Sequence, residues 1–125
     1  MSTVAYKLVD GREWQAARAE GVYRGSVLDR ADGFIHLSTA GQLPGTASKH
    51  YADRQDLRLV EVDLAAVGDT LRWDPSRGGA LFPHVHGDLP LSAVRSVRGL
   101  AIDGAGVPRF ADGAIVWPGE TEASL

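Results

Sequence analysis

Gly33-Phe34-Ile35-His36-Leu37-Ser38-Thr39 reads as a short buried strand that runs directly into a helix. Phe34 to Ser38 is long enough for such a strand, and Gly33 and Thr39 are boundary residues. The two-residue period places Phe34, His36 and Ser38 on one face and Ile35 and Leu37 on the other. A central histidine is costly here, because its ring nitrogens need partners once buried and a Val or Ile would need none. A lone core histidine bonded to a carbonyl is the simplest reading. A second cluster, Phe82-Pro83-His84-Val85-His86-Gly87, argues for a site instead, since the two pieces together hold three of the chain's four histidines.

Upstream of this stretch, Val4 to Val9 alternates as a strand. Asp10 then caps a helix, with Glu13 in the capping-box place, Trp14 and Ala17 as its apolar stripe and Gly21 as its stop. Val22 to Leu28 leads into Asp29-Arg30-Ala31-Asp32-Gly33, which reads as a loop. Asp29 is expected to be solvated there, whereas Asp32, nearer His36, is placed to orient a ring or bind a ligand hydroxyl. Downstream, Thr39 and Gln42 form a second capping box. Pro44 and Gly45 break the first turn, so regular helix is expected from Thr46 to Ala52, with Leu43, Ala47 and Tyr51 inward and His50 exposed. Free N–H groups at the Ser38-Thr39 junction suit a phosphate or carboxylate, with Lys7 or Arg30 adding charge.

Leu57 to Val62 and Leu71 to Asp74 are further strands. Pro83 points to a strand edge or a sharp loop for His84, opening the second cluster towards solvent. Val94 to Ile102 forms another strand, bulged at Gly99, and turns through Asp103-Gly104-Ala105-Gly106 into Val107 to Phe110. The order of elements predicts an α+β fold: a mixed or antiparallel sheet with two helices in the N-terminal half. Residues 1–110 are expected to form one compact domain, with 111–125 a partly disordered tail.

Composition narrows the function. A chain of 125 residues with 44% hydrophobic content suits a single core. A net charge of −3 without a basic run disfavours duplex nucleic acid as a partner. The absence of cysteine excludes disulfides, thiolate nucleophiles and Cys-based zinc sites. Met1 to Asp10 carries no signal-peptide pattern and no apolar run reaches membrane-spanning length, so a soluble cytoplasmic protein is expected.

Tyr6-Lys7, Glu13-Trp14, Gly21-Val22-Tyr23, Gly25-Ser26, Asp29, Asp32 to Thr39, Gln42, Trp73 and Phe82-Pro83-His84 together resemble a small bacterial family, domain of unknown function 952, over roughly residues 4 to 102. Two positions depart from its pattern: His86 stands where the family usually has Tyr, and Asp74 where it tends to have Glu. That family in turn resembles the ADP-ribosyltransferase-like fold, above all the RNA 2′-phosphotransferase branch with its similar H-x-H-L-S strand. The resemblance implies a nicotinamide-dinucleotide cleft bordered by Phe34 to Ser38, with Tyr6-Lys7 on the adjacent strand. The late catalytic acid of such transferases has no match, and Glu61 fits a structural role equally well.

Three classes stay open. A transferase acting on NAD or another nucleotide would use His36 and His84 as catalytic groups, with Tyr6, Lys7, Arg30, Asp32, Ser38, Thr39, Trp73, Phe82 and His86 binding the ligand. Trp73 or Phe82 would stack on its ring. A nucleotide-binding module would use the same cleft without chemistry. A metal site would draw on His36, His84 and His86, although no carboxylate stands at a familiar ligand spacing.

Overall fold

The structure, a computed structural model, describes residues 3–120. Its first strand, β1 (Val4–Asp10), buries both faces: Tyr6 and Leu8 on one, Ala5, Lys7 and Val9 on the other. Asp10 then caps α1 (Gly11–Glu20), its carboxylate accepting from Arg12 N and Glu13 N. Gly21 closes that helix at φ 87°, donating its N–H to Ala17 O, and Trp14 and Ala17 are its buried stripe. After β2 (Val22–Tyr23) the segment expected as a loop is a second helix, α2 (Val27–Asp32). Ser26 Oγ accepts from Asp29 N while the Asp29 carboxylate accepts from Ser26 N, a reciprocal cap that starts the helix.

The strand expected over Phe34 to Ser38 is shorter, because the stretch passes from one sheet to another. Only Ile35 and His36 form β3 (Ile35–His36). At Ser38 the chain meets β1 instead: Tyr6 N donates to Ser38 O at 2.7 Å and Ser38 N to Tyr6 O at 2.9 Å. Thr39 and Gln42 then bond reciprocally, as their spacing predicts. The following helix, α3 (Leu43–His50), starts at Leu43 rather than Thr46. Pro44 lies in its first turn, where no N–H is required of it.

The remaining elements are β4 (Arg54–Asp63), the single turn α4 (Leu64–Val67), β5 (Leu71–Pro75), β6 (Leu81–Val85), β7 (Leu89–Pro90), β8 (Val94–Ile102) and β9 (Pro108–Phe110). They build a four-stranded sheet in the order β1-β4-β8-β9, a three-stranded sheet β3-β6-β5 and a ribbon β2-β7. Each of these strand pairings is antiparallel, so the fold is α+β. Three helices, not two, precede β4.

Two backbone expectations are overturned. Pro83 sits in β6, the central strand of its sheet, and His84 is buried rather than opened to solvent. Leu37 N donates to Pro83 O at 3.0 Å, so the polar backbone groups of Pro83 face the side where β3 ends. The β5 ladder therefore needs no N–H from it. Nor does β8 bulge at Gly99, whose pairing with Arg58 is in register; the β4–β8 irregularities lie between Arg54 and Leu57 and between Glu61 and Val62.

Apolar side chains cover both faces of the large sheet. Ala5, Val9, Trp14, Ile35, Leu37, Val60, Val62 and Val85 form one core, under α1 and the small sheet. Tyr6, Leu8, Leu43, Ala47, Leu57, Leu59, Leu100, Ile102, Phe110 and Trp117 form the other. Trp117 thus brings part of the expected tail into the core, packing edge-on against Phe110 with ring centroids 6.0 Å apart. Its N–H donates to Glu120 Oε1. Of the disorder expected past Pro118, residues 121–125 lie outside the described residues.

Trp117→Ala should therefore destabilise the domain by about 3–5 kcal/mol, the usual cost of removing a buried large aromatic. Urea unfolding measures it; a change of less than about 1 kcal/mol would show that the segment after Phe110 is not part of the core.

Candidate functional site

Lys7 is the polar member of an otherwise apolar strand face, between Ala5 and Val9, and its ammonium is buried with it. Its partner is Asp29, 1% exposed, whose two carboxylate oxygens lie 3.1 and 3.0 Å from Lys7 Nζ. The same carboxylate accepts from Ser26 N at 2.9 Å and His36 N at 3.2 Å, and meets His36 Nδ1 at 2.6 Å. Burial alone would raise the Asp29 pKa. The His36 hydrogen bond, the Lys7 charge and the Ser26 N–H outweigh it and hold the carboxyl well below the usual carboxylate range. The acid expected to be solvated is thus the buried anchor of the His36 ring. Asp32 stands on the other side of that ring, its Oδ2 3.0 Å from His36 Nε2.

A second histidine–carboxylate unit lies on the β5–β6 hairpin. Asp74 pairs in register with Phe82, and its Oδ2 lies 2.9 Å from both His84 Nδ1 and His86 Nε2. Burial lowers the His84 pKa against the opposing pull of Asp74, and the hydrogen bonds from His86 and His84 lower that of Asp74. His84 Nε2 is buried with no hydrogen-bond partner among the described residues. Phe34 packs against all three imidazoles, its centroid 4.7, 4.3 and 4.9 Å from those of His36, His84 and His86.

A cavity of about 370 Å³ opens beside these groups. Of the residues expected at a site, it brings together Tyr6, Lys7, His36, Ser38, Phe82 and His84. Arg30, Asp32, Thr39, Trp73 and His86 are not part of its lining. Arg30 and Trp73 point outward, Thr39 Oγ1 is occupied by Gln42 N, and His86 is exposed against Asp74. The anion cradle expected at Ser38-Thr39 is likewise engaged internally, since Ser38 Oγ bonds Thr46 Oγ1 at 2.9 Å.

The charged and aromatic lining that sequence reasoning missed is Asp29, Lys49, Tyr51 and Arg54, together with His50, which is exposed as expected but faces the cavity. Arg54 lies over the Tyr51 ring, 5.5 Å from its centroid, and burial pushes the Tyr51 hydroxyl up to about 12. The i, i+1 and i+5 spacing of Lys49, His50 and Arg54 across the end of α3 was the available signal for this cationic lip. Glu61 is not part of the cavity lining; on β4 it pairs in register with Tyr6 and accepts from Ser96 Oγ. No helix among the described residues is long and apolar enough to cross a membrane.

A family profile described as "Protein of unknown function (DUF952)" matches residues 8–97. Among solved structures, the chain is similar to the crystal structure of protein CC0527 from Caulobacter crescentus, at 43% identity and a TM-score of 0.80. The match covers 85% of this chain and 93% of that one. The solution NMR structure of CC0527 is similar at 42% identity and a TM-score of 0.75, covering 86% and 93%. The search of curated proteins gives no match.

The buried carboxylate makes stability depend on pH in a defined direction. Its pKa is depressed in the fold relative to about 3.9 in the unfolded chain. Its contribution is therefore complete well above pH 3.9 and is lost as pH falls below it. Asp29→Asn should cost about 3–5 kcal/mol at neutral pH, because it leaves the Lys7 charge buried and unpaired, and should flatten the acid limb. Urea melts across a pH series read both; wild-type stability and an unchanged acid limb in the variant would contradict this account.

Proposed function

The chain belongs to the DUF952 family, and on that premise we propose that it is a transferase-like enzyme whose cavity takes a nucleotide-like anion, NAD first among them. The observation that carries the reading is the Asp29–His36 pair. A buried carboxylate, its pKa held low by its partners, lies 2.6 Å from Nδ1 of a partly exposed imidazole. With Nδ1–H donated to Asp29 and Nε2 held 3.0 Å from Asp32 Oδ2, a ligand hydroxyl that displaces the half-exposed Asp32 carboxylate would meet Nε2, the atom that then takes a proton from an attacking group or returns one to a leaving group.

The cavity chemistry supports the ligand class. Lys49, His50 and Arg54 line one wall, while Lys7 is neutralised beneath by Asp29. Tyr6, Tyr51 and Phe82 offer aromatic surface for a base or nicotinamide ring. The unpartnered His84 Nε2 on this wall is a buried polar atom that a ligand group would satisfy. NAD itself is suggested by the likeness of the His36 strand to the H-x-H-L-S strand of the RNA 2′-phosphotransferases.

One observation favours a second reading, a binding module without chemistry. Asp29 is the one carboxylate among the described lining residues, and Lys7 and His36 occupy it. The acid that ADP-ribosyl transfer ordinarily employs has no counterpart on this wall.

Calorimetric titration with NAD, ADP-ribose and AMP tests the ligand class, and a discontinuous assay for nicotinamide release tests the chemistry. Binding is expected for at least one of the three, weakened about tenfold by Lys49→Ala or Arg54→Ala, a loss of roughly 1.4 kcal/mol each. His36→Ala should abolish turnover while retaining binding. Binding without turnover in the wild type would select the module, and absence of binding at millimolar ligand would end the nucleotide reading.

A further inference from the structure

The geometry points to a second site, a three-ligand centre for a divalent transition-metal ion made by Asp74 Oδ2, His84 Nδ1 and His86 Nε2. It stands apart from the nucleotide reading: Asp74 and His86 take no part in the cavity lining, and only His84 is shared. The ligand atoms of the three side chains all lie within 4.8 Å of one another. Two are 2.9 Å from the same carboxylate oxygen. The two 2.9 Å spacings match edges of a coordination polyhedron whose metal–ligand bonds are about 2.0–2.2 Å, so an outward shift of the carboxylate that draws the two imidazoles together admits an ion.

The backbone fixes these ligands as a site requires. Asp74 and His84 project from adjacent strands of a hairpin in continuous register. His86 is held by its own N–H, which donates to Thr70 O at 2.8 Å. The Phe34 ring stacks on the His86 imidazole at an interplanar angle of 11° and fixes its orientation. An ion has a way in, since the side chains of Asp74 and His86 are 37% and 40% exposed. His84, at 3%, forms the buried floor.

The donor set selects the metal class. Two imidazole nitrogens and one carboxylate suit zinc and its first-row neighbours, while magnesium and calcium prefer all-oxygen shells. Three protein ligands also leave coordination positions open, as in catalytic rather than structural sites. Coordination takes the lone pair of each facing nitrogen. The proton of each imidazole then resides on its other nitrogen, Nε2 of His84 and Nδ1 of His86, and any second proton leaves to solvent. Affinity should therefore fall as the solution is acidified.

The test uses the full chain, freed of metal with EDTA and titrated calorimetrically with zinc chloride, with the ligand-field absorption of cobalt(II) as a coordination signature. The expected result is one equivalent of zinc bound and a cobalt spectrum. Asp74→Ala and His86→Ala should each weaken binding by at least about tenfold, whereas His50→Ala should leave it unchanged. Because His86 is exposed, its replacement leaves the fold intact, and a thermal melt verifies this. The assignment is overturned by no stoichiometric zinc binding to the wild type, or by binding that survives both Asp74→Ala and His86→Ala. Binding lost with His50→Ala or His36→Ala but kept in His86→Ala overturns it equally, by placing the ion elsewhere.

Discussion

One buried carboxylate organises the N-terminal half of this protein. Removing Asp29 from water is unfavourable by itself, and the fold answers with a buried ammonium from β1, the backbone N–H that opens α2, and both nitrogens that β3 presents at His36. β1, 22 residues away at Lys7, and the neighbouring α2 and β3 are thereby tied to one functional group. The arrangement also dictates Gly25. Its φ is +102°, and a Cβ there would stand 2.8 Å from Asp29 Cβ, so a side chain would collide with the residue that the turn exists to place. An ion pair of this kind is weak evidence for stability in the abstract. Here it specifies geometry: it decides which way one imidazole faces.

The two histidine–carboxylate units then differ by environment rather than by composition. His36 is half-buried between Asp29 and Asp32 and borders the cavity. His84 lies on the floor, its protonated form disfavoured by burial, with its carboxylate on the solvent side. Phe34 touches both rings and that of His86. The two imidazoles also meet directly, edge-on with ring centroids 5.2 Å apart, so the units adjoin. Both rings border the cavity, but their acids lie differently: Asp29 is buried, whereas Asp74 is half-exposed.

Much of this was legible in the chain. Alternation gave β1, β4 and β5, and the cap at Asp10 fell where the residue types demanded, whereas the Thr39–Gln42 bonds close a turn ahead of α3, which starts after Gln42 without a side-chain cap. The family showed in DGFIHLST and FPH, and the meeting of His36 with His84 followed from two histidine-bearing strands, which pair directly in register. What stayed hidden depended on distance in sequence. Asp29 reads as a solvated turn acid until Lys7, 22 residues away, supplies the charge that lets it be buried. Asp74 looks like a strand terminus until the hairpin register carries it to His84 and His86. Pro83 reads as an edge signal because its missing N–H is harmless only where the neighbouring strand ends, and that end is set by the crossing to β1. Local rules carry no information about such partners.

That crossing has a mechanical corollary. The paired backbone bonds between Tyr6 and Ser38 join the large sheet to the chain leaving the small one, the Lys7–Asp29–His36 bonds bridge the same two layers, and the cavity is lined from both sides. These two links, one of backbone and one of side chains, hold the sheets at the angle that leaves the cavity between them. Any molecule that touches Tyr51 on one side and Phe82 on the other would act as a strut between the sheets. Its binding energy would then add to the links already joining the two layers.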